Sequence, residues 1–109
     1  MAYKIRWTKE ANETFDKIIE YLENRWTDRE IVNFVNKTNQ ILKQISERPE
    51  MFKSSFKMKI RMGIITKQTS IFYQIDIQNK TIVLLSFWDN RQNPANRKYW
   101  FPLKIEEKF

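Results

Sequence analysis

The chain has 109 residues, which is enough for one domain, residues 1–109, and too few for two hydrophobic cores. Apolar residues make up 41% of it, with one Gly and three Pro, a composition that excludes a disordered tail. The absence of Cys and His excludes disulfides, thiol nucleophiles and the commonest metal ligand, and the net charge of +7 favours an anionic partner.

The positive charge is concentrated in the second half of the chain. Residues 1–55 carry 10 basic and 9 acidic side chains, whereas residues 56–109 carry 10 and 4. The N-terminal residues lack the apolar run of a signal peptide, and no stretch approaches the roughly 18 apolar residues of a membrane span. We therefore expect a cytoplasmic protein that does not contact a membrane.

The N-terminal segment has the alternation of a short strand. Tyr3, Ile5 and Trp7 alternate with Lys4 and Arg6, so one face is predicted to be buried. We expect this strand to join the sheet at an edge.

Two amphipathic helices are predicted next. Thr8 can cap the first helix, and Thr27 with Glu30 has the spacing of a capping box for the second. Pro49 ends the second helix. The apolar stripes are Ala11, Phe15, Ile18, Ile19, Leu22 and Trp26, then Ile31, Phe34, Val35, Thr38, Ile41, Leu42 and Ile45. The short joint between them predicts an antiparallel hairpin.

Three strands should follow, separated by polar turns at residues 66–69 and 78–80. The first alternates Met58, Ile60, Met62 and Ile64 with Lys57, Lys59 and Arg61; the second alternates Ile71, Tyr73, Ile75 and Ile77 with Phe72, Gln74 and Asp76. Residues 81–88 are nearly all apolar, as in a strand covered on both faces. The predicted fold is α+β: an N-terminal strand, a two-helix hairpin and a three-stranded antiparallel meander, all in one sheet.

Lys57, Lys59 and Arg61 are spaced two apart, so in a strand they form a row of cations on one face. We expect this row, with Arg91 at the exit of the last strand, to lie on the side of the sheet away from the helices. Such a row can track a phosphate backbone. The alternative is that these side chains are only the solvated face of an edge strand.

The element order, the length and three segments resemble the RelE/ParE superfamily of toxins from bacterial type II toxin-antitoxin systems. The segments are "KMKIR" at 57–61, "SIFYQI" at 70–75 and "VLLSFWDNRQNP" at 83–94, and the last two resemble the ParE-like branch. The resemblance implies a small toxin neutralised by an acidic antitoxin. RelE-like members cut messenger RNA on the ribosome, whereas ParE-like members inhibit DNA gyrase, and the fold alone does not choose between these targets.

The ribonuclease pattern carries over only in part. Lys57, Lys59 and Arg61 match its Lys-x-Lys-x-Arg, while Arg91 and Tyr99 are candidates for its exit cation and its aromatic hydroxyl. Without His, Lys57 or Lys59 would be the base that takes the 2'-hydroxyl proton, Arg61 and Arg91 would clamp the phosphate, and Tyr99 would be the acid or a stacking platform. RNA-cleaving relatives often carry Arg three positions before the strand Tyr, where this chain has Ser70 before Tyr73.

Further basic and aromatic residues complete the predicted site. Lys67, Arg97 and Lys98 are candidates for contacting the nucleic acid or another target. Trp100, Phe101 and Leu103 are candidates for antitoxin contact, on which an acidic segment could fold as an amphipathic helix. Asp76 and Asp89 are the only carboxylates of the strand region, so no metal or other cofactor is expected. Gyrase inhibition, ribosome-dependent RNA cleavage and nucleic-acid binding without toxicity all remain open here.

Overall fold

A computed structural model of the chain describes residues 2–54 and 59–90. The elements are β1 (Lys4–Trp7), α1 (Lys9–Glu23), α2 (Asp28–Glu47), β2 (Arg61–Thr66), β3 (Thr69–Asp76) and β4 (Thr81–Asp89). They form one four-stranded sheet in the order β1-β4-β3-β2. β1 runs parallel to β4, and the other neighbouring pairs are antiparallel. The predicted α+β fold and the edge position of the N-terminal strand are confirmed.

Both helices begin at the predicted caps. The Thr8 hydroxyl accepts the Ala11 N–H at 3.1 Å, and the Thr27 hydroxyl accepts the Glu30 N–H at 3.3 Å. The first apolar stripe was predicted to continue to Trp26, and this part is wrong, because α1 ends at Glu23 and Trp26 is 38% exposed in the connection between the helices. The new cap at Thr27 starts a separate helix, so the stripe is interrupted there.

The main core lies between the helices and one face of the sheet. Its fully buried members come from both layers: Ala11 and Ile45 from the helices, and Ile71, Ile82 and Leu84 from the strands. On the opposite face of the sheet, Ile60 and Phe72 form a smaller cluster with Met62, Leu85 and Trp88. We call this second side the open face, because none of the described helical residues belongs to its cluster.

A β-bulge in β4 fixes α1 against the sheet. The register passes from Phe72 opposite Ser86 to Tyr73 opposite Leu84, which leaves Leu85 without a partner residue. The Thr8 hydroxyl donates to the Leu84 carbonyl at 2.7 Å, and the Phe87 N–H donates to the Thr14 hydroxyl at 2.9 Å. The Thr14 hydroxyl therefore gives the Phe87 N–H a partner near the bulge, and the Leu84 carbonyl accepts from both the hydroxyl and the N–H of Thr8.

The first meander strand differs from its prediction. β2 begins at Arg61, whereas Lys59 precedes it with a left-handed backbone (φ 54°). Gly63 and Ile65 are buried on the helix side, and Ile64 is 44% exposed. The predicted row of cations on one strand face is therefore wrong for Lys59, which lies outside the strand, and for Arg61, which shares the helix side with Gly63 and Ile65.

Candidate functional site

The predicted site residues divide into those that the structure describes and those that it does not. Lys59, Arg61 and Lys67 lie within the described residues. The others lie outside them: Lys57, Arg91, Arg97, Lys98, Tyr99, Trp100, Phe101 and Leu103.

Arg61 holds the connection between α2 and β2. Its guanidinium donates to the Phe52 carbonyl at 2.5 Å, and its other terminal nitrogen lies 3.9 Å from a Glu50 carboxylate oxygen. The Arg61 side chain is only 20% exposed, whereas that of Glu50 is 81% exposed. The ion pair to Glu50 is therefore weak, and the hydrogen bond to the backbone is the main anchor.

Tyr73 completes this internal cluster. It lies opposite Arg61 in the β2–β3 register, is fully buried, and donates its hydroxyl to the Pro49 carbonyl at 2.8 Å. Burial raises the pKa of Tyr73 to about 12, and the Arg61 charge and a hydrogen bond with the Phe52 backbone only partly oppose that shift. The phenol is therefore a neutral hydrogen-bond donor at physiological pH, and its proton is used in the bond to the Pro49 carbonyl.

Gly63, the only glycine in the chain, makes room for the same segment. A Cβ built on Gly63 would lie 3.0 Å from a Phe52 ring carbon and 3.0 Å from the Ile71 Cγ2 atom. The Phe52 ring therefore rests directly on the backbone of β2. Beside it, the Met62 N–H donates to the Lys53 carbonyl at 3.3 Å. We call residues 48–54, held in this way, the strap.

The other described cations of the predicted site are Lys59 and Lys67, and both are exposed. Lys59 is exposed just before β2, and Lys67 is exposed in the turn after it. The six residues of β2 separate these two positions by roughly 20 Å of extended backbone. The structure thus brings together Arg61, Tyr73 and the strap, and leaves Lys59 and Lys67 in solvent at opposite ends of the strand.

The exit of β4 is fixed by Asn90, one residue before Arg91. The Ser70 hydroxyl, fully buried, donates to the Asn90 side-chain oxygen at 2.9 Å. The Asn90 backbone N–H donates to the Gln68 carbonyl at 2.8 Å, which joins the exit to the turn between β2 and β3. Ser70, which departs from the ribonuclease pattern in sequence, is therefore a structural partner of the segment that leads to Arg91.

Sequence reasoning missed the strap and the Ser70–Asn90 bond. A signal for the strap was present, because Gly63 is two residues from Arg61 and so shares its face, where an absent side chain indicates a close neighbour. No local pattern pairs Ser70 with Asn90, since they are 20 residues apart.

A cleft of about 850 Å³ lies between the two helices and the end of the sheet that carries the β2–β3 turn. Its walls include the apolar side chains of Leu22, Phe34 and Phe87, and its charged lining includes Lys17, Lys37, Lys67, Glu10, Glu30 and Asp89. An apolar cavity with charges around it has the character of a surface that receives an amphipathic segment.

Neither a metal centre nor a membrane span is found in the part of the chain that the structure describes. Within residues 2–54 and 59–90, no three acidic side chains are grouped so that they could hold a metal ion. Hydrogen bonds from the Asn79 side chain and backbone lower the pKa of the Asp76 carboxyl, and Arg6 adds to the effect. None of the described helices is long and apolar enough to cross a membrane.

Solved structures with this architecture define the class of protein. The chromosomal ParDE system of P. aeruginosa matches with a TM-score of 0.64 at 13% identity, over 81% of this chain and 96% of that chain. The toxin-antitoxin complex RelBE2 of Mycobacterium tuberculosis matches with a TM-score of 0.59 at 17% identity, over 82% of this chain and 99% of that chain. The isolated E. coli RelE toxin matches with a TM-score of 0.57 at 8% identity, over 99% of this chain and 100% of that chain. At these identities the likeness shows the RelE/ParE toxin fold.

The family follows from the sequence match. Residues 5–94 match the model of the ParE toxin of type II toxin-antitoxin systems (parDE), so the chain belongs to this family and is the toxin component of such a system. A search of curated proteins finds no significant match.

Proposed function

We propose that this toxin inhibits growth by acting on DNA gyrase, that a cognate acidic antitoxin relieves the inhibition, and that the toxin does not cut RNA. The observation that carries the choice of target is the position of Arg61. In the ribonuclease pattern this cation would face the phosphate, but here it lies on the helix side of the sheet and donates to the Phe52 carbonyl.

RNA cleavage by 2'-hydroxyl attack needs several cations on one surface, because the phosphorane carries extra negative charge. The Arg61 guanidinium is engaged by the Phe52 carbonyl of the strap, and Ser70 occupies the position where RNA-cleaving relatives often have Arg. Two positions of that pattern therefore supply no cation to the open face, which supports the target that requires no cleavage chemistry.

The cleft between the helices and the sheet is the surface that suits an antitoxin. Its apolar walls would bury the apolar side of an amphipathic helix, and the three lysines and three carboxylates that line it would pair with charges of both signs on the polar side of that helix. Trp100, Phe101 and Leu103, outside the described residues, remain our proposed further antitoxin contacts. Lys67, with Arg97 and Lys98, remains a proposed contact to the target.

The test uses the purified toxin in a gyrase supercoiling reaction on relaxed plasmid. We expect the toxin to prevent supercoiling and the antitoxin to restore it. Lys59→Ala is a matched variant in a growth assay, because a ribonuclease with Lys59 as base would lose its toxicity, whereas a gyrase inhibitor would keep its toxicity and its effect on supercoiling. Normal supercoiling at growth-inhibiting toxin concentrations would overturn the proposed target.

A second candidate is a metal-independent ribonuclease that acts on the ribosome, and the exposed Lys59 favours it. This side chain lies in solvent at the start of β2 and could approach a phosphate, with Lys57, Arg91 and Tyr99 as partners. Transcripts from cells that express the toxin decide between the two. Cuts at codon boundaries that disappear in Lys59→Ala and Arg91→Ala would establish this candidate in place of gyrase.

A further inference from the structure

The charges of this protein are divided between the helix layer and the rest of the chain. The two helices carry five basic and eight acidic residues, and α1 alone carries two and five. The remainder of the chain carries fifteen basic and five acidic residues. The excess of acidic residues in α1 therefore repels a polyanion, and the excess of positive charge lies outside the helices.

A group of cations lies at one corner of the open face, away from the strap and the cleft. Lys4 and Arg6 lie on the outer strand β1, both exposed, while Ile5 and Trp7 between and beside them pack on the helix-facing core. Side chains two apart in a strand lie about 6 to 7 Å from one another on the same face. The Lys4 N–H donates to the carbonyl of Lys80, which brings a third exposed cation to the same corner.

The acidic group on this corner is already engaged. Asp76 shares the open face with Lys4 through the register Lys4–Thr81–Asp76, and its two carboxylate oxygens accept hydrogen bonds from Asn79 at 3.2 and 2.8 Å. Arg6 helps to lower the pKa of this carboxyl, which favours its charged form. The negative charge of Asp76 therefore offsets only one of the three positive charges of Lys4, Arg6 and Lys80. The corner keeps a net positive charge.

We propose that this corner binds the phosphate backbone of duplex DNA. Single-stranded nucleic acids are held by stacking on aromatic side chains as well as by charge. The described residues at the corner include no aromatic side chain; they are Lys4, Arg6, Gln74, Asp76, Asn79, Lys80, Thr81 and Val83. Charge without stacking suits a duplex, and contacts to phosphate make the binding independent of sequence. The proposal goes beyond gyrase inhibition and does not depend on it.

The test measures binding of the full-length toxin to a short fluorescein-labelled duplex by anisotropy between about 50 and 200 mM salt. We expect log K to fall linearly with log salt. The triple variant Lys4→Gln, Arg6→Gln, Lys80→Gln should reduce that slope by about 2 to 3, since each phosphate contact contributes about 0.9. The single variant Arg6→Gln should reduce the slope by about 1. This variant keeps the test valid if the triple variant does not fold.

The matched control removes three exposed lysines from the helices, Lys17, Lys37 and Lys43. The same net charge is lost in Lys17→Gln, Lys37→Gln, Lys43→Gln, but the slope should stay at the wild-type value. An equal reduction in both triple variants, no measurable duplex binding by the wild type, or tighter binding to a single strand of the same length would overturn the proposal. Because no gyrase is present, failure of the gyrase proposal would not change the result.

Discussion

The Tyr73 hydroxyl lies at the centre of the polar cluster that joins the sheet to the strap. It is fully buried, donates to the Pro49 carbonyl, and faces Arg61 across the strand pair. Burial disfavours the charged phenolate, so the pKa of Tyr73 is raised to about 12. Loss of the Tyr73 hydroxyl proton would therefore remove the hydrogen bond that joins the sheet to the strap.

The first prediction concerns stability at high pH. The pKa of Tyr73 in the folded protein, about 12, exceeds the ordinary tyrosine pKa of 10.0, so Tyr73 contributes stability that is fully present below pH 10 and is lost as the pH rises toward 12. Urea denaturation across this range should show the loss. In Tyr73→Phe, the dependence on pH between 10 and 12 should be weaker than in the wild type.

Tyr21→Phe is the matched control, because Tyr21 lies in α1, where its ring faces Arg25, outside this cluster. It should keep the wild-type pH profile of the free energy of unfolding. A Tyr73→Phe profile that matches the wild type over the same range would contradict the assignment.

At the scale of the element, α1 is attached to β4 through hydroxyl groups as well as through apolar packing. Thr14 donates to the Glu10 carbonyl at 2.8 Å in its own helix and accepts the Phe87 N–H next to the bulge. Phe87 also packs on Trp7 and Phe15, with ring centroids 5.3 and 4.9 Å apart. The bulge and the helix are therefore one structural unit.

The second prediction tests this unit with Thr14→Val, which keeps the shape of the side chain and removes its acceptor. The Phe87 N–H would lose its partner, so the free energy of unfolding should fall by about 1 to 3 kcal/mol. Thr27→Val is the control; Thr27 caps α2 in solvent, so we expect a smaller loss, about 1 kcal/mol. Chemical denaturation of both variants gives the comparison, and equal losses would argue against a special role of the bulge.

At the scale of the whole molecule, the sheet has two central and two edge strands. β3 and β4 are eight and nine residues long and pair along most of their length, whereas β1 has four residues and β2 has six. The fully buried residues Ile71, Ile82 and Leu84 lie in the two central strands. Local opening should therefore begin at the edges and reach β3 and β4 last.

The third prediction follows from this arrangement. In native-state hydrogen exchange, the paired amides of β3 and β4 should exchange most slowly, with the free energy of global unfolding, and those of β1 and β2 should exchange faster. Exchange measured residue by residue by NMR tests the ranking. Protection of β1 amides equal to that of the β3–β4 pair would contradict it.

Sequence by itself determined the order of the elements, the helix caps at Thr8 and Thr27, and the end of α2 before Pro49. These features depend on neighbours within a few residues, so local patterns carry them. The resemblance to the RelE/ParE superfamily also came from segments of sequence, and the family match confirms it.

Tertiary structure alone decided what becomes of the cations. Alternation identifies two faces of a strand, but the pairing of Arg61 with Tyr73 decides which face lies on the helices. The bulge at Leu85 and the bond from Ser70 to Asn90 join segments far apart in the chain. A local pattern contains no information about such partners, and so the two described cations of the predicted row are one internal anchor, Arg61, and one exposed lysine, Lys59.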